Sequence, residues 1–152
     1  MPSDGDRPRA AIERRAGAGP VDGRTRFAAA RVARLATVRP DGAPHIVPIT
    51  FALDGDRIVF AVDRKPKSTT RLRRIENIES DPRVSVLADA YDDRWERLWW
   101  VRADGRAHVA HDDEARLALD ALVRKYDAYR RDPPPGPAVV VEVERWRAWS
   151  AS

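Results

Sequence analysis

Apolar and polar positions alternate along "RLATVR" (34–39), again along "HIVPITFAL" (45–53), and again along "RIVFAV" (57–62). A period of two reads as strand, while "RPDGAP" and "DGD" between the runs read as tight turns. Residues 33–62 are therefore expected to form a three-stranded antiparallel meander. Pro48 interrupts the second run; lacking an amide hydrogen, it marks that strand as an edge or a bulge. The period then changes. In "RLRRIENIES" (71–80), Leu72, Ile75 and Ile78 recur at helical spacing, and the pattern ends before Pro82.

"RVSVLA" (83–88) returns to a strand with Val84 and Val86 on one face, and "YDDRWER" (91–97) is a polar loop. "LWWVRADGRAHVA" (98–110) reads as a long strand or a hairpin, with Asp104-Gly105 as its bulge or turn. A single helix is expected over 112–131, with Leu119, Leu122, Val123 and Tyr126 on its apolar face. "DPPPGP" is a stiff linker, and "AVVVEVERWRAW" (138–149) is the last strand. Near the start, Asp22 is placed to cap a short helix over "RTRFAAARVA". Residues 1–22 are rich in Gly, Pro, Ala and charge and read as a disordered tail, leaving 23–152 as one domain. Six strands with a few helices give an α+β, mainly β chain. Mostly antiparallel strands in this number close into a small barrel.

The 152 residues contain no cysteine, which excludes disulfides and thiolate metal sites and fits a reducing compartment. No apolar run approaches the roughly 20 residues of a membrane span, and the first residues lack a secretory apolar core, so a cytoplasmic location is expected. His45, His108 and His111 share no metal-ligand spacing, and no metal site is expected. The net charge of +4 is small and no nucleic-acid-binding signature is present, so nucleic acid is not an expected partner.

Charge is nevertheless concentrated. "DRKPKSTTRLRR" (63–74) carries six basic residues and one acidic one, and it holds Lys65 and Lys67, two of the three lysines in the chain. Its order is unusual. A helix favours acidic side chains at its N-terminus and basic ones at its C-terminus, yet Lys65, Lys67 and Arg71 crowd the start and Glu76, Glu79 and Asp81 the end. Helix N–H groups, Ser/Thr hydroxyls and ammonium groups together suit a phosphate. A solvated basic face is the other reading of the same run.

The order of motifs "LATVRPDGAPHIVPI", a strand, a basic turn with lysine, a short helix and "DPRVSVL" resembles the split β-barrel flavin and deazaflavin proteins related to pyridoxamine 5′-phosphate oxidase. "DRKPKSTTRLRRIENI" and "RLWWVRADGRA" are similar to the actinobacterial branch that uses coenzyme F420. The resemblance implies a six-stranded FMN-binding-like split barrel that forms a homodimer with cofactor sites at the interface. It further implies that Val47, Pro48, Ile49 and Thr50 line the ring, with backbone amides near its polar edge. Ala61 and Val62 would flank the linker, and Lys65, Lys67, Ser68 and Arg71 would hold the phosphate. Arg64 and Arg73 or Arg74 would meet further anionic groups.

F420 spreads its negative charge along an acidic tail, whereas FMN concentrates it on one phosphate; a basic run this long suits the former, with FMN as the alternative. Trp99 and Trp100 are adjacent and point to opposite faces of a strand, so one can stack on a ring. Trp146 and Trp149 are expected at an interface or rim. Tyr91 and His45 are the candidate proton donors. The activity implied is a hydride-transferring reductase acting on a small organic substrate. A non-catalytic F420 carrier is the alternative from another class.

Overall fold

The computed structural model describes residues 20–62 and 69–151, with side chains from Gly23 to Val62 and from Arg73 to Ala151. The candidate residues Arg64, Lys65, Lys67 and Ser68 lie outside that range, as does the expected tail 1–22 up to residue 19; residues 20–22 are helical, so Asp22 lies within a helix and does not cap it. Helix α1 (Pro20–Ala29) is followed by β1 (Ala33–Val38), β2 (Pro44–Ile49), β3 (Ala52–Asp54), β4 (Arg57–Ala61) and α2 (Thr69–Ser80). Then come β5 (Arg83–Ala90), a 3-10 turn at Trp95–Arg97, β6 (Trp99–Val109), α3 (Asp112–Lys125), α4 (Asp127–Arg131) and β7 (Ala138–Ser150).

Seven strands form one antiparallel sheet in the order β2-β1-β5-β6-β7-β4-β3. The expected count was six, because "HIVPITFAL" reads as one strand. The chain instead leaves the ladder at Thr50 and Phe51 and divides this run into β2 and β3. The expected meander is corrected in the same way: the β1–β2 and β3–β4 hairpins lie at opposite ends of the strand order.

Two residues joining the outermost strands impose curvature. Three Cα steps from Ile49 to Ala52 reach at most about 11 Å. Six interstrand spacings in a flat sheet would hold those strands roughly 29 Å apart. The sheet therefore curls until its edges meet at the Thr50–Phe51 bend, which makes a split barrel. Pro48 sits on β2, an outermost strand, as its missing amide hydrogen requires.

The barrel interior is filled by alternate residues of each strand, among them Leu35, Val86, Val101, Ala103, Val139 and Val141. Phe27 of α1 closes this core, its ring 4.8 Å from Phe51 and 5.1 Å from Trp146. Trp146 is thus inward-facing, against the expected interface or rim position. The cause is the register shift at Asp104/Gly105: Asp104 pairs with Arg145 and Gly105 with Val143, so Glu144 is an extra residue that inverts the in-out alternation of β7. A Cβ on Gly105 would stand 2.1 Å from the Glu142 carbonyl oxygen, so only glycine fits there. The expected 98–110 segment is accordingly one continuous strand and not a hairpin, and the bulge expected at Asp104-Gly105 lies on its partner β7.

A second apolar cluster joins Ala118, Ala121, Leu122 and Tyr126 of the helical segment to Ala52, Val59, Ala61 and Val140. The helix expected over 112–131 is two helices. Tyr126 adopts extended backbone angles (φ −114°, ψ 119°) while its hydroxyl is engaged elsewhere in the fold. Among the described residues, no helix is long and apolar enough to cross a membrane.

Candidate cofactor site

From the Thr50–Phe51 bend the two edges of the sheet run apart. Ala52 pairs with Val59 as the last rung before the bend, so Phe60 and Ala61 of β4 continue past the end of β3. β2 forms one lip of the split, and the end of β4 with Val62 forms the other. The candidate residues Val47, Pro48, Ile49, Thr50, Ala61 and Val62 therefore lie on the two segments that flank the split. Their side chains divide sharply. Ile49, Ala61 and Val62 are buried and Val47 packs against the barrel core, so these four offer a ligand mainly their backbone. Pro48 is exposed and Thr50 is half-buried. The Val62 N–H donates to the Pro137 carbonyl at 3.0 Å, which fixes the β4 lip.

Helix α2 packs against β1 and β6. Its buried Asn77 donates to Thr37 Oγ1 at 3.0 Å, and Thr37 is paired across the ladder with His45 of β2. Ile75 and Ile78 anchor the same helix in the core. One turn before Asn77, Arg73 and Arg74 lie close enough to His45 to act on it. Burial first, then Arg73, Arg74 and Arg39, hold the imidazole below the usual histidine pKa, so it is largely neutral at pH 7. His45 Nδ1 is buried and meets no hydrogen-bond partner among the described residues. An imidazole that can gain a proton and several guanidiniums thus share one seam, an arrangement chemically suited to an anion. Sequence reasoning had placed His45 and Arg73/Arg74 in separate roles, and their adjacency follows only from the α2–β1–β2 packing. Arg71 belongs to the first turn of α2.

The other candidates lie elsewhere. Trp99 faces the barrel core and Trp100 the outer face of the sheet, as adjacent strand residues must. Trp100 lines an outer cleft of about 370 Å³ with Leu87, Asp89, Tyr91 and Arg102. Pro48, Arg34 and Leu87 are matched across three adjacent strands, so this cleft starts roughly 10 Å from the β2 lip. Within one protomer the fold therefore does not bring Trp100 to Thr50 and Ala61. The two proton-donor candidates separate too: Tyr91 belongs with Trp100, and His45 with the arginine seam.

Among the described residues one group, His108, Glu114 and Glu142, brings potential metal-ligand atoms within 4.8 Å of one another. Arg57 donates to Glu114 at 3.1 Å and meets Glu142 at 3.2 Å, so a guanidinium already balances both carboxylates. Tyr126, expected only on the apolar face of its helix, and Tyr129, not singled out in the sequence, reach the bend itself. The Phe51 N–H donates to the Tyr126 hydroxyl at 3.2 Å, and Thr50 Oγ1 and the Tyr129 hydroxyl are 2.7 Å apart.

Similar folds occur among solved structures. A conserved protein from Mycobacterium tuberculosis has a TM-score of 0.68 at 23% identity, covering 88% of this chain and 85% of the other. A FAD-binding protein from Mesorhizobium loti has a TM-score of 0.65 at 23% identity, covering 86% and 93%. A heme-binding protein from Mycobacterium smegmatis has a TM-score of 0.65 at 22% identity; the match covers 86% of this chain and 57% of that one. At such identities the likeness carries the fold and not the ligand. The family model for pyridoxamine 5′-phosphate oxidase matches residues 23–150, the whole barrel from α1 to the end of β7, and the chain belongs to that family.

Proposed function

We propose that this protein is a homodimeric, coenzyme F420-dependent oxidoreductase whose cofactor lies along the split of the barrel. The observation that carries this reading is the Asn77–Thr37 bond, which sets the α2 turn bearing Arg73 and Arg74 by the β1–β2 ladder at His45 and so joins the basic segment to the strand expected to meet the ring. The residues present fit such a group. Its anionic part would face the seam and the lysines of 63–68. Its ring would meet backbone groups of Val47–Thr50, since an outermost strand leaves alternate N–H and C=O groups unpaired.

When bound, the reduced deazaflavin supplies a hydride equivalent to an electron-poor double bond. The chain's own part is to bind and orient. Buried Ile49, Ala61 and Val62 fix the lips, the apolar wall restricts water, and the seam neutralises charge. The outer face of the sheet presents Ile46 (65% exposed), Tyr91 (60% exposed) and Trp100, and a second copy of the chain would cover it. In that dimer Trp100 and Tyr91 of one subunit would complete the site of the other, with Tyr91 as proton donor to a small organic substrate.

A flavin in the same site is the second reading. The family includes oxidoreductases, and the structurally similar Mesorhizobium loti protein is FAD-binding. Parallel fluorescence titrations of the cofactor-free full chain with F420 and FMN distinguish the two. Micromolar F420 binding with weak FMN binding is expected. The reverse result transfers the site to a flavin, and binding of neither removes the reading. Turnover with enones and quinones then separates an enzyme from a carrier. Because an anion beside His45 raises its pKa, F420 affinity should increase as pH falls from 8 to 6, and His45→Asn should flatten that rise.

A further inference from the structure

The peptide between Thr50 and Phe51 lies where the sheet ladder is interrupted, and it is held from behind by two tyrosines of the helical segment. Tyr126 has one hydroxyl hydrogen, and it donates this to the Arg31 carbonyl at 2.9 Å. Towards Phe51 the same oxygen acts as acceptor, taking the backbone N–H at 3.2 Å. Burial raises the Tyr126 phenol above its usual pKa, so the hydrogen stays in place at physiological pH. The result is a directional relay from the Phe51 N–H through the Tyr126 hydroxyl to the Arg31 carbonyl. Beside it, the Tyr129 hydroxyl and Thr50 Oγ1 are 2.7 Å apart, and the two tyrosine rings pack edge to face at 5.5 Å.

In a trans peptide the N–H and C=O point in opposite directions. With the Phe51 N–H committed to Tyr126, the Thr50 carbonyl is aimed away from the helices. Flavin and deazaflavin rings both carry an imide N–H, a donor that such a carbonyl can accept.

We propose that Tyr126 and Tyr129 are positioning residues that fix the Thr50–Phe51 peptide so that the Thr50 carbonyl meets the imide N–H of the bound ring. This rests on the cofactor reading above. Arg31 belongs to the same device: its guanidinium reaches the Lys125 carbonyl at 3.4 Å and stands 4.4 Å over the Tyr126 ring, which holds the relay's terminal carbonyl against α3.

The test titrates the full-length protein, Tyr126→Phe, Tyr129→Phe and Leu122→Ala with F420 and with FMN, and records thermal stability and the absorption spectrum of the bound cofactor. Leu122 is buried in the same helical cluster and its side chain has no polar atom with which to hold the bend, so it reports a purely structural loss. Tyr126→Phe is expected to weaken binding of the preferred cofactor about five- to tenfold, the worth of one hydrogen bond, and to shift its absorption maximum. Tyr129→Phe should act in the same direction more weakly, while Leu122→Ala keeps both affinity and spectrum despite a larger loss of Tm. Should Tyr126→Phe fail to fold, Tyr129→Phe decides alone. Wild-type protein that binds neither cofactor overturns the cofactor reading and this proposal together. Wild-type binding that is unchanged in the folded tyrosine variants, or weakened equally by Leu122→Ala, overturns the positioning role alone.

Discussion

Helices α2 and α3 are similar in length, 12 and 14 residues, and opposite in charge order. α3 opens with Asp112, Asp113 and Glu114 and ends with Arg124 and Lys125, the arrangement that the helix dipole favours at both ends. α2 has no acidic residue in its first turn and no basic residue in its last. α3 packs Ala118, Ala121 and Leu122 into its own apolar cluster, whereas α2 enters the barrel core with Ile75 and Ile78 and relies on the buried Asn77–Thr37 bond. One helix is complete as it stands. Under the proposed function, the charge that the other lacks comes from a bound anion.

If the two helices divide labour in this way, changes in α3 should register in stability and changes at the start of α2 in ligand affinity. The largest effect belongs to Leu122→Ala, which opens a cavity in a fully buried position and should lower stability by about 2–5 kcal/mol in chemical denaturation, with F420 affinity retained. Next is Lys67→Ala, expected to weaken F420 binding by about 1.5–3 kcal/mol by titration while leaving Tm nearly unchanged. Unaltered affinity there would end the contrast.

Lys125 gives a pH-dependent measure of α3. Burial, assisted by the Arg31 charge, lowers its pKa from 10.5 to about 8. Between pH 8 and 10.5 the unfolded chain keeps a proton that the folded chain has released, so this group's contribution to stability rises with pH through that window. For a half-exposed amine the gain is on the order of 1 kcal/mol, and Lys125→Met should lack it in denaturation curves recorded at pH 7.5 and 9.5. The smallest change is the most pointed. Thr69→Asp supplies α2 with the acidic first turn it lacks, and should stabilise the cofactor-free protein by roughly 0.3–1 kcal/mol while weakening anion binding. Asp113→Asn in α3 should cost stability of the same small size and leave binding unaffected.

Much of this contrast is legible in the sequence because it depends on local pattern. The charge order of α2, the spacing of Leu72, Ile75 and Ile78, the edge role of Pro48 and the opposed faces of Trp99 and Trp100 all depend on neighbours a few residues away. The misreadings share another cause. "ITFAL" has strand-forming residues on both sides of Thr50 and no turn former, so nothing local divides β2 from β3. The division is made by the Tyr126 and Tyr129 hydroxyls, which lie 75 and 79 residues downstream of the groups they bind. Trp146, expected at an interface or rim, turns inward because the extra residue Glu144, in the bulge opposite Gly105, inverts the alternation of β7. The seam of His45 with Arg73 and Arg74 was invisible for the same reason, since it requires β1, β2 and α2 to be assembled first.

The strand order also bears on how the chain is made. β4 has only two ladder neighbours, β3 and β7, and Ala61 must pair with Ala138. On the ribosome, the β3–β4 hairpin emerges early and can rest only on itself, a marginal state for two short strands in water. The lip carrying Ala61 and Val62 is thus left without its ladder partner until nearly the whole barrel sequence has been translated. Barrel closure and a usable cofactor split should therefore be achieved in one late event. A nascent chain arrested before β7 would expose Ile58, Val59 and Phe60 to chaperones rather than to a ligand.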